Sequence, residues 1–218
     1  MKRILTTMVA LSLLALSSAP VRADISPSLV SVTGSASNWT WTYHSVLSDA
    51  QELMFNPSAS IPTPPVAKLD IMPGISSKVF DFYTIYDFAG FIPGSNFQPA
   101  NWHFLFYNVG STPGSVVAQD NPNVPNLTWY YDGPKKTGVE LIAGDLGLFG
   151  AHSLYRTETN GIFAGSATKH DPANSPPDGW IQQNIGSVNV PVVPEPSTFV
   201  LFGAGLVGAV IMKRRAKK

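Results

Sequence analysis

Between Trp39 and Tyr43 the chain reads Trp-Thr-Trp-Thr-Tyr, aromatic rings alternating with hydroxyls. A two-residue period puts successive side chains on opposite sides of an extended backbone, so this stretch is written for a strand. Similar segments recur. Lys78 to Phe88 places Phe80, Phe82, Tyr86 and Phe88 on one face, with Asp81 and Asp87 on the other. Trp102-His-Phe104-Leu-Phe106-Tyr is apolar on both sides, as a central strand between packed layers would be. Leu127-Thr-Trp129-Tyr-Tyr131 runs into Asp132-Gly133-Pro134, a strong turn signal. Runs near 138–143, 146–157, 161–169 and 181–190 are rich in Thr, Val, Ile, Tyr and Phe. No helical period interrupts them. Short strands separated by Gly and Pro predict an all-β fold, an antiparallel β-sandwich of the Ig-like or jelly-roll type. Val190-Pro-Val-Val-Pro reads as the last strand passing into an extended linker.

Both ends of the chain break this pattern. The first residues carry Lys2 and Arg3, an apolar run from Ile4 to Leu16, then small residues closing on Val21-Arg22-Ala23. That is the layout of a secretory signal peptide cut after Ala23, and its apolar run falls short of the roughly 20 residues that span a bilayer. Toward the other end, Phe199 to Met212 runs for 14 residues without a charge. With Ser197 and Thr198 it makes a short helix that crosses by thinning the bilayer and letting basic side chains snorkel. Lys213, Arg214, Arg215, Lys217 and Lys218 follow at once. Basic residues stay on the cytoplasmic side, which leaves the body outside. The expected organisation is a signal peptide at 1–23, a β-sandwich body at 24–190, a linker at 191–198, a transmembrane helix at 199–212 and a basic tail at 213–218. Gly203, Gly205 and Gly208 spell a G-x-G-x-x-G inside the apolar run. The dinucleotide fingerprint needs a strand before it and an acidic residue about 20 positions after it, so these glycines are read as a close-packing face instead.

A formal net charge of zero hides a segregation. All 14 acidic residues lie from Asp24 to Glu195, where there are only six cations, so that region carries −8. Such a body repels nucleic acid and anionic lipid, and nucleic acid is set aside as a partner. Cysteine is absent. For an exported domain this excludes a disulfide scaffold and thiol chemistry, and about 170 residues are enough to bury a core without staples.

The tail as a whole, Pro194-Glu195-Pro196, an apolar helix and then a basic cluster, resembles the PEP-CTERM sorting signal. That resemblance implies an exported protein of a Gram-negative bacterium that makes extracellular polysaccharide. It implies an exosortase, a membrane transpeptidase, as partner, with Pro194, Glu195 and Pro196 as the recognition element and the helix as a temporary anchor in the inner membrane. Two prolines hold such a segment extended, the form in which a protease-like groove takes a chain. The stretches around Trp102, Trp129 and Gly144 are similar to the small β-rich bodies of PEP-CTERM proteins, which implies no biochemical role.

Chemistry in the body is sparse. His44, His103, His152 and His170 form neither H-x-H nor H-E-x-x-H, no G-x-S-x-G elbow occurs, and the only glutamates between 24 and 190 are Glu52, Glu140 and Glu158. Asp120-Asn-Pro-Asn123 and His170-Asp171-Pro-Ala-Asn174 offer oxygens but lack the Gly-centred spacing of a calcium loop, and Asx turns account for them. No metal, cofactor or catalytic residue is expected, and a hydrolase ranks third among the functional readings. Trp39, Trp41 and Tyr43 share one face of a strand, and Trp129 lies on another. Exposed, they would stack on sugar rings; buried, they fill the core. An ice-binding face would need repeated Thr arrays, and Thr40 with Thr42 is a single pair. The leading expectation is a non-enzymatic cell-surface or matrix protein associated with exopolysaccharide; the alternative is a carbohydrate-binding module.

Overall fold

The structure, a computed structural model, describes residues 25–53, 55–56, 79–110, 112–113, 116–137, 141, 144–170 and 181–194. Its strands are β1 (Ile25–Ser35), β2 (Asn38–Leu47), β3 (Gln51–Leu53), β4 (Phe55–Asn56), β5 (Val79–Phe80), β6 (Phe82–Ile85), β7 (Trp102–Tyr107), β8 (Asn126–Tyr131), β9 (Lys136–Thr137), β10 (Asp145–Ser153), β11 (Glu158–Lys169) and β12 (Ile181–Pro191). The chain is all-β, and every pairing is antiparallel. One sheet runs β1-β2-β10; a larger one runs β7-β8-β6-β11-β3-β9, with β12 also on β11. Since β12 pairs β11 along its length, β6 and β3 follow one another on the opposite edge.

The two sheets face each other across an aromatic core. Phe149 of the small sheet meets Tyr83, Trp102 and Trp129 of the large one, with ring centroids 5.4, 5.0 and 5.9 Å away and edges turned onto faces. Edge-to-face contact suits the ring quadrupoles. Trp41, Tyr43, Leu127, Trp129 and Phe149 are all fully buried. Burying one such ring contributes about 1.5–3 kcal/mol, so this layer supplies much of the driving force without a disulfide.

Two bulges shape the small sheet. In β1 the register slips between Leu29 and Ser31, leaving Val30 as the extra residue. One inserted residue reverses which parity faces inward, so Leu29 before the bulge and Val32 after it both reach the core. In β10 the slip falls between Asp145 and Gly147. The β1–β2 loop holds Ala36 and Ser37 at φ 48° and 65°. Positive φ at both central positions is the two-residue hairpin turn that matches strand twist. Gly34 sits beside it at φ 134°, where a Cβ would strike the Asn38 carbonyl.

Two expectations from periodicity need correcting. The segment after Lys78 breaks at Asp81, and Tyr83 and Ile85, not Phe82 and Tyr86, belong to the core between the sheets. Phe82 and Thr84 on the reverse face are equally buried, so alternation there carries no inside–outside signal. Asp81 is buried too, and both its oxygens accept from the Thr168 hydroxyl, at 3.1 and 3.2 Å. Strand β7 is a terminal strand, not a central one: among the described residues it pairs with β8 alone, and Phe106 and Tyr107 at its end are exposed.

Chain direction gives the molecule two distinct ends. Asn184 Nδ2 donates to the Ile25 carbonyl, while β12 continues to Pro191. Seven residues of strand separate those levels, about 24 Å. The chain thus enters the described body at one end and leaves it at the other.

Candidate functional site

The end where the chain leaves is the place to look for the sorting segment. Pairing of β12 with β11 runs to Pro191 opposite Glu158. Pro191 is buried and its carbonyl accepts from Ala89 N–H at 3.3 Å. Val192 N–H then donates to the Thr157 carbonyl at 2.9 Å. Among the described residues nothing comparable holds the next two: Val193 and Pro194 are exposed. The fold lets go of the chain between Val192 and Pro194.

What grips the chain up to that point is the corner between β10 and β11, residues 154–157. Leu154 N–H donates to the Gly90 carbonyl at 2.8 Å. The Ser153 hydroxyl donates to the Ala89 carbonyl at 2.6 Å and accepts from Tyr155 N–H at 3.0 Å. Trp41 Nε1 donates to the Tyr155 carbonyl at 3.0 Å, tying the corner to the core. The Arg156 guanidinium lies 5.1 Å above the ring of Trp39. Each hydrogen bond is worth about 1 kcal/mol net, and an exposed cation–π contact about 0.5–1 kcal/mol. Tyr43 adds a bond between the layers, its hydroxyl donating to the Asn189 carbonyl at 2.9 Å. Burial pushes that phenol well above its ordinary pKa, and the Glu158 charge adds to the shift.

The possible glycan-stacking residues do not form a platform. Trp41, Tyr43 and Trp129 have no exposed surface, and a ring packed on both faces has none left for a sugar. Trp39 alone is half-buried, and Arg156 already covers it. Alternation predicted that the residues share a face; it could not say that the face turns inward.

Elsewhere several polar groups are spent on one another. Asp120 accepts from Gly110 N–H at 2.9 Å through one oxygen and from Asn126 Nδ2 at 2.9 Å through the other. Asn123 N–H donates to Asn121 Oδ1 at 3.1 Å, an Asx turn. The second acidic loop beyond His170 lies outside the described residues. His44 sits 2.9 Å from Asp145, and His103 2.8 Å from Asp132. His170 lies 3.1 Å from Glu52, whose carboxylate also holds Lys135 at 2.7 Å. Glu52 is only 1% exposed. Nothing in its local sequence marked it as buried; only the pairing of β3 with β9 and β11 brings Lys135 and His170 to it. Among the described residues no three His, Asp or Glu side chains are grouped to hold a metal.

Among the described residues no helix is long and apolar enough to cross a membrane. Ala23, Glu195, Pro196, the run 199–212 and the basic cluster Lys213, Arg214, Arg215, Lys217 and Lys218 lie outside the described residues. The antiparallel β body thus lets the chain out at one corner, with Pro194 exposed. The model of one protein family, described as the PEP-CTERM protein-sorting motif, matches residues 192–215. The chain carries that motif, which indicates an exported cell-surface protein, first anchored in the membrane and then processed by an exosortase. No curated protein and no solved structure gives a significant match to the chain.

Proposed function

We propose that the chain is a non-enzymatic protein of the cell surface or extracellular matrix, delivered by its sorting tail and associated there with exopolysaccharide. The observation that carries this reading is the release of the motif from the fold. The body is hydrogen-bonded through Val192, and Pro194 is exposed two residues later. A transpeptidase groove can take the chain from Val193 onward while the sheets stay closed. Support for a non-enzymatic body comes from how its acids and histidines are used. His44–Asp145, His103–Asp132 and His170–Glu52 join three different pairs of segments, and Glu52 and Asp145 hold Lys135 and Gly147 N–H as well.

Replacing Pro194, Glu195 and Pro196 together by alanine tests the delivery. Full-length protein should then accumulate in the inner membrane, read by fractionation and mass of the intact chain. Unchanged release into the medium would remove exosortase from the account. The matrix association is tested separately, in a strain that makes no exopolysaccharide. There the processed body should move from the matrix fraction to the free medium, and an unaltered distribution would refute the association.

A further inference from the structure

The corner that releases the tail gathers groups that a membrane interface accepts. Leu154 and Val193 are 46% and 53% exposed. Beside them Arg156 stacks on half-buried Trp39. Aliphatic side chains, indole rings and arginines with apolar stems settle together at headgroup level. Three separate segments meet here: Trp39 pairs with Ser153, the neighbour of Leu154, and the Thr157 carbonyl holds Val192. The hairpin tip next to Trp39, Ser35-Ala36-Ser37-Asn38, is uncharged. Glu158, the acid at the corner, is engaged by Asn189 Nδ2 at 3.0 Å.

Sequence distance fixes what faces this corner. The uncharged run begins at Phe199, seven residues beyond Val192. Fully stretched, that is at most about 25 Å of chain, so a tail held in lipid keeps the corner within that reach of the bilayer. Both ends carry carboxylates, Asp49, Asp132 and Asp145 at the far one and Asp87, Asp120 and Glu158 at this one, so the lipid that fits the corner is zwitterionic rather than anionic.

On the reading of the tail as an anchor, we infer that in the unprocessed protein this corner lies on the bilayer that holds the tail. Trp39, Leu154, Arg156 and Val193 sit in the headgroup layer of zwitterionic lipid, and the end that bears Asp49 points away. The contact sets the height and orientation at which Pro194 meets the processing enzyme. Two aliphatic side chains and an indole edge bury far less than even a single acyl chain, which itself binds only marginally, so cutting the tail frees the body.

The absence of cysteine makes the test clean. Thr157→Cys and Asp49→Cys, one per chain, receive an environment-sensitive fluorophore in the full-length protein. Each is reconstituted into phosphatidylcholine vesicles containing a headgroup-nitroxide lipid. The label at 157 should be quenched several-fold more than the label at 49, with a blue-shifted emission. Adding Leu154→Asp and Val193→Asp should return the label at 157 to water while the chain still sediments with the vesicles. Equal quenching at 157 and 49, or quenching at 157 that survives both aspartates, overturns the inference and leaves the anchor standing. A chain that does not sediment with vesicles overturns the anchor reading and this contact together.

Discussion

At the end of the body where β2 passes into β3, carboxylates meet basic side chains. His44 pairs with Asp145, His103 with Asp132, and Glu52 with both Lys135 and His170. At the end that releases the tail, carboxylates meet amides and backbone N–H groups instead: Glu158 with Asn189, Asp87 with Asn121 N–H, Asp120 with Asn126 and Gly110 N–H. Ion pairs at a surface weaken with salt and shift with pH, whereas amide contacts respond to neither so strongly. The end that presents the sorting segment therefore has the less condition-dependent grip. Its hairpin also holds Ala36 and Ser37 at positive φ without glycine, where the other end has Asn101, a residue that tolerates that region better.

The sharpest way to break this contrast is to remove one cation from each end. Lys135→Met leaves Glu52, 1% exposed, without its lysine partner. The expected loss is about 2–3 kcal/mol, because an under-compensated buried carboxylate keeps its desolvation cost. Arg156→Met removes only a contact over a half-buried ring, about 0.5 kcal/mol. Urea unfolding of the two variants measures both. Equal losses would mean that the ends are held alike, and the contrast would fall.

A smaller effect, of opposite sign, is expected at the hairpin. Ala36→Asn with Ser37→Gly gives the turn the residues its geometry favours and should stabilise the protein by about 1 kcal/mol. In a chain of this size that raises Tm by about 2–4 °C. No gain in a thermal melt would show that the turn is not strained.

How much of this could be read beforehand differs by region. The strand from Asn38 to Leu47 was legible, because its inner positions, Trp41, Tyr43, Ser45 and Leu47, keep strict alternation and one face is buried. The segment around Phe82 misled because both faces are covered, and β7 misled because an apolar strand is written alike at the centre and at the edge. The bulges at Val30 and Leu146 had no local signature, since an extra residue shows only against its partner strand. For the site, the motif was legible outright: Pro194-Glu195-Pro196 and the run behind it need no fold to be recognised. The corner that grips Val192 was not, as Trp41, Gly90, Ser153 and Thr157 meet only through long-range pairing. Rows of tryptophan raised a sugar-binding reading because periodicity shows which residues share a face and not where that face points.

The smallest expected effect tests the contrast through titration. At the tail end Asp87 has its carboxyl raised above the usual range, by burial first and by the Asp120 charge, against the lowering hydrogen bond from Asn121 N–H. At the other end Asp145 is lowered, first by its hydrogen bond to His44 and then by Gly147 N–H. The two make opposite contributions. A depressed carboxyl contributes stability that is present above the unfolded pKa and lost as pH falls through the folded value. A raised one contributes stability that is present below the unfolded pKa and lost as pH rises through the folded value. Wild type minus Asp145→Asn should therefore shrink on acidification below about pH 4, whereas wild type minus Asp87→Asn should shrink as pH rises above about 4. Both side chains are partly exposed, so solvent screening keeps the slopes well below one proton. Urea midpoints at closely spaced pH values on both sides of about pH 4 read the signs. Slopes of the same sign would show that the two acids lie in like environments, and the electrostatic difference between the ends would be gone.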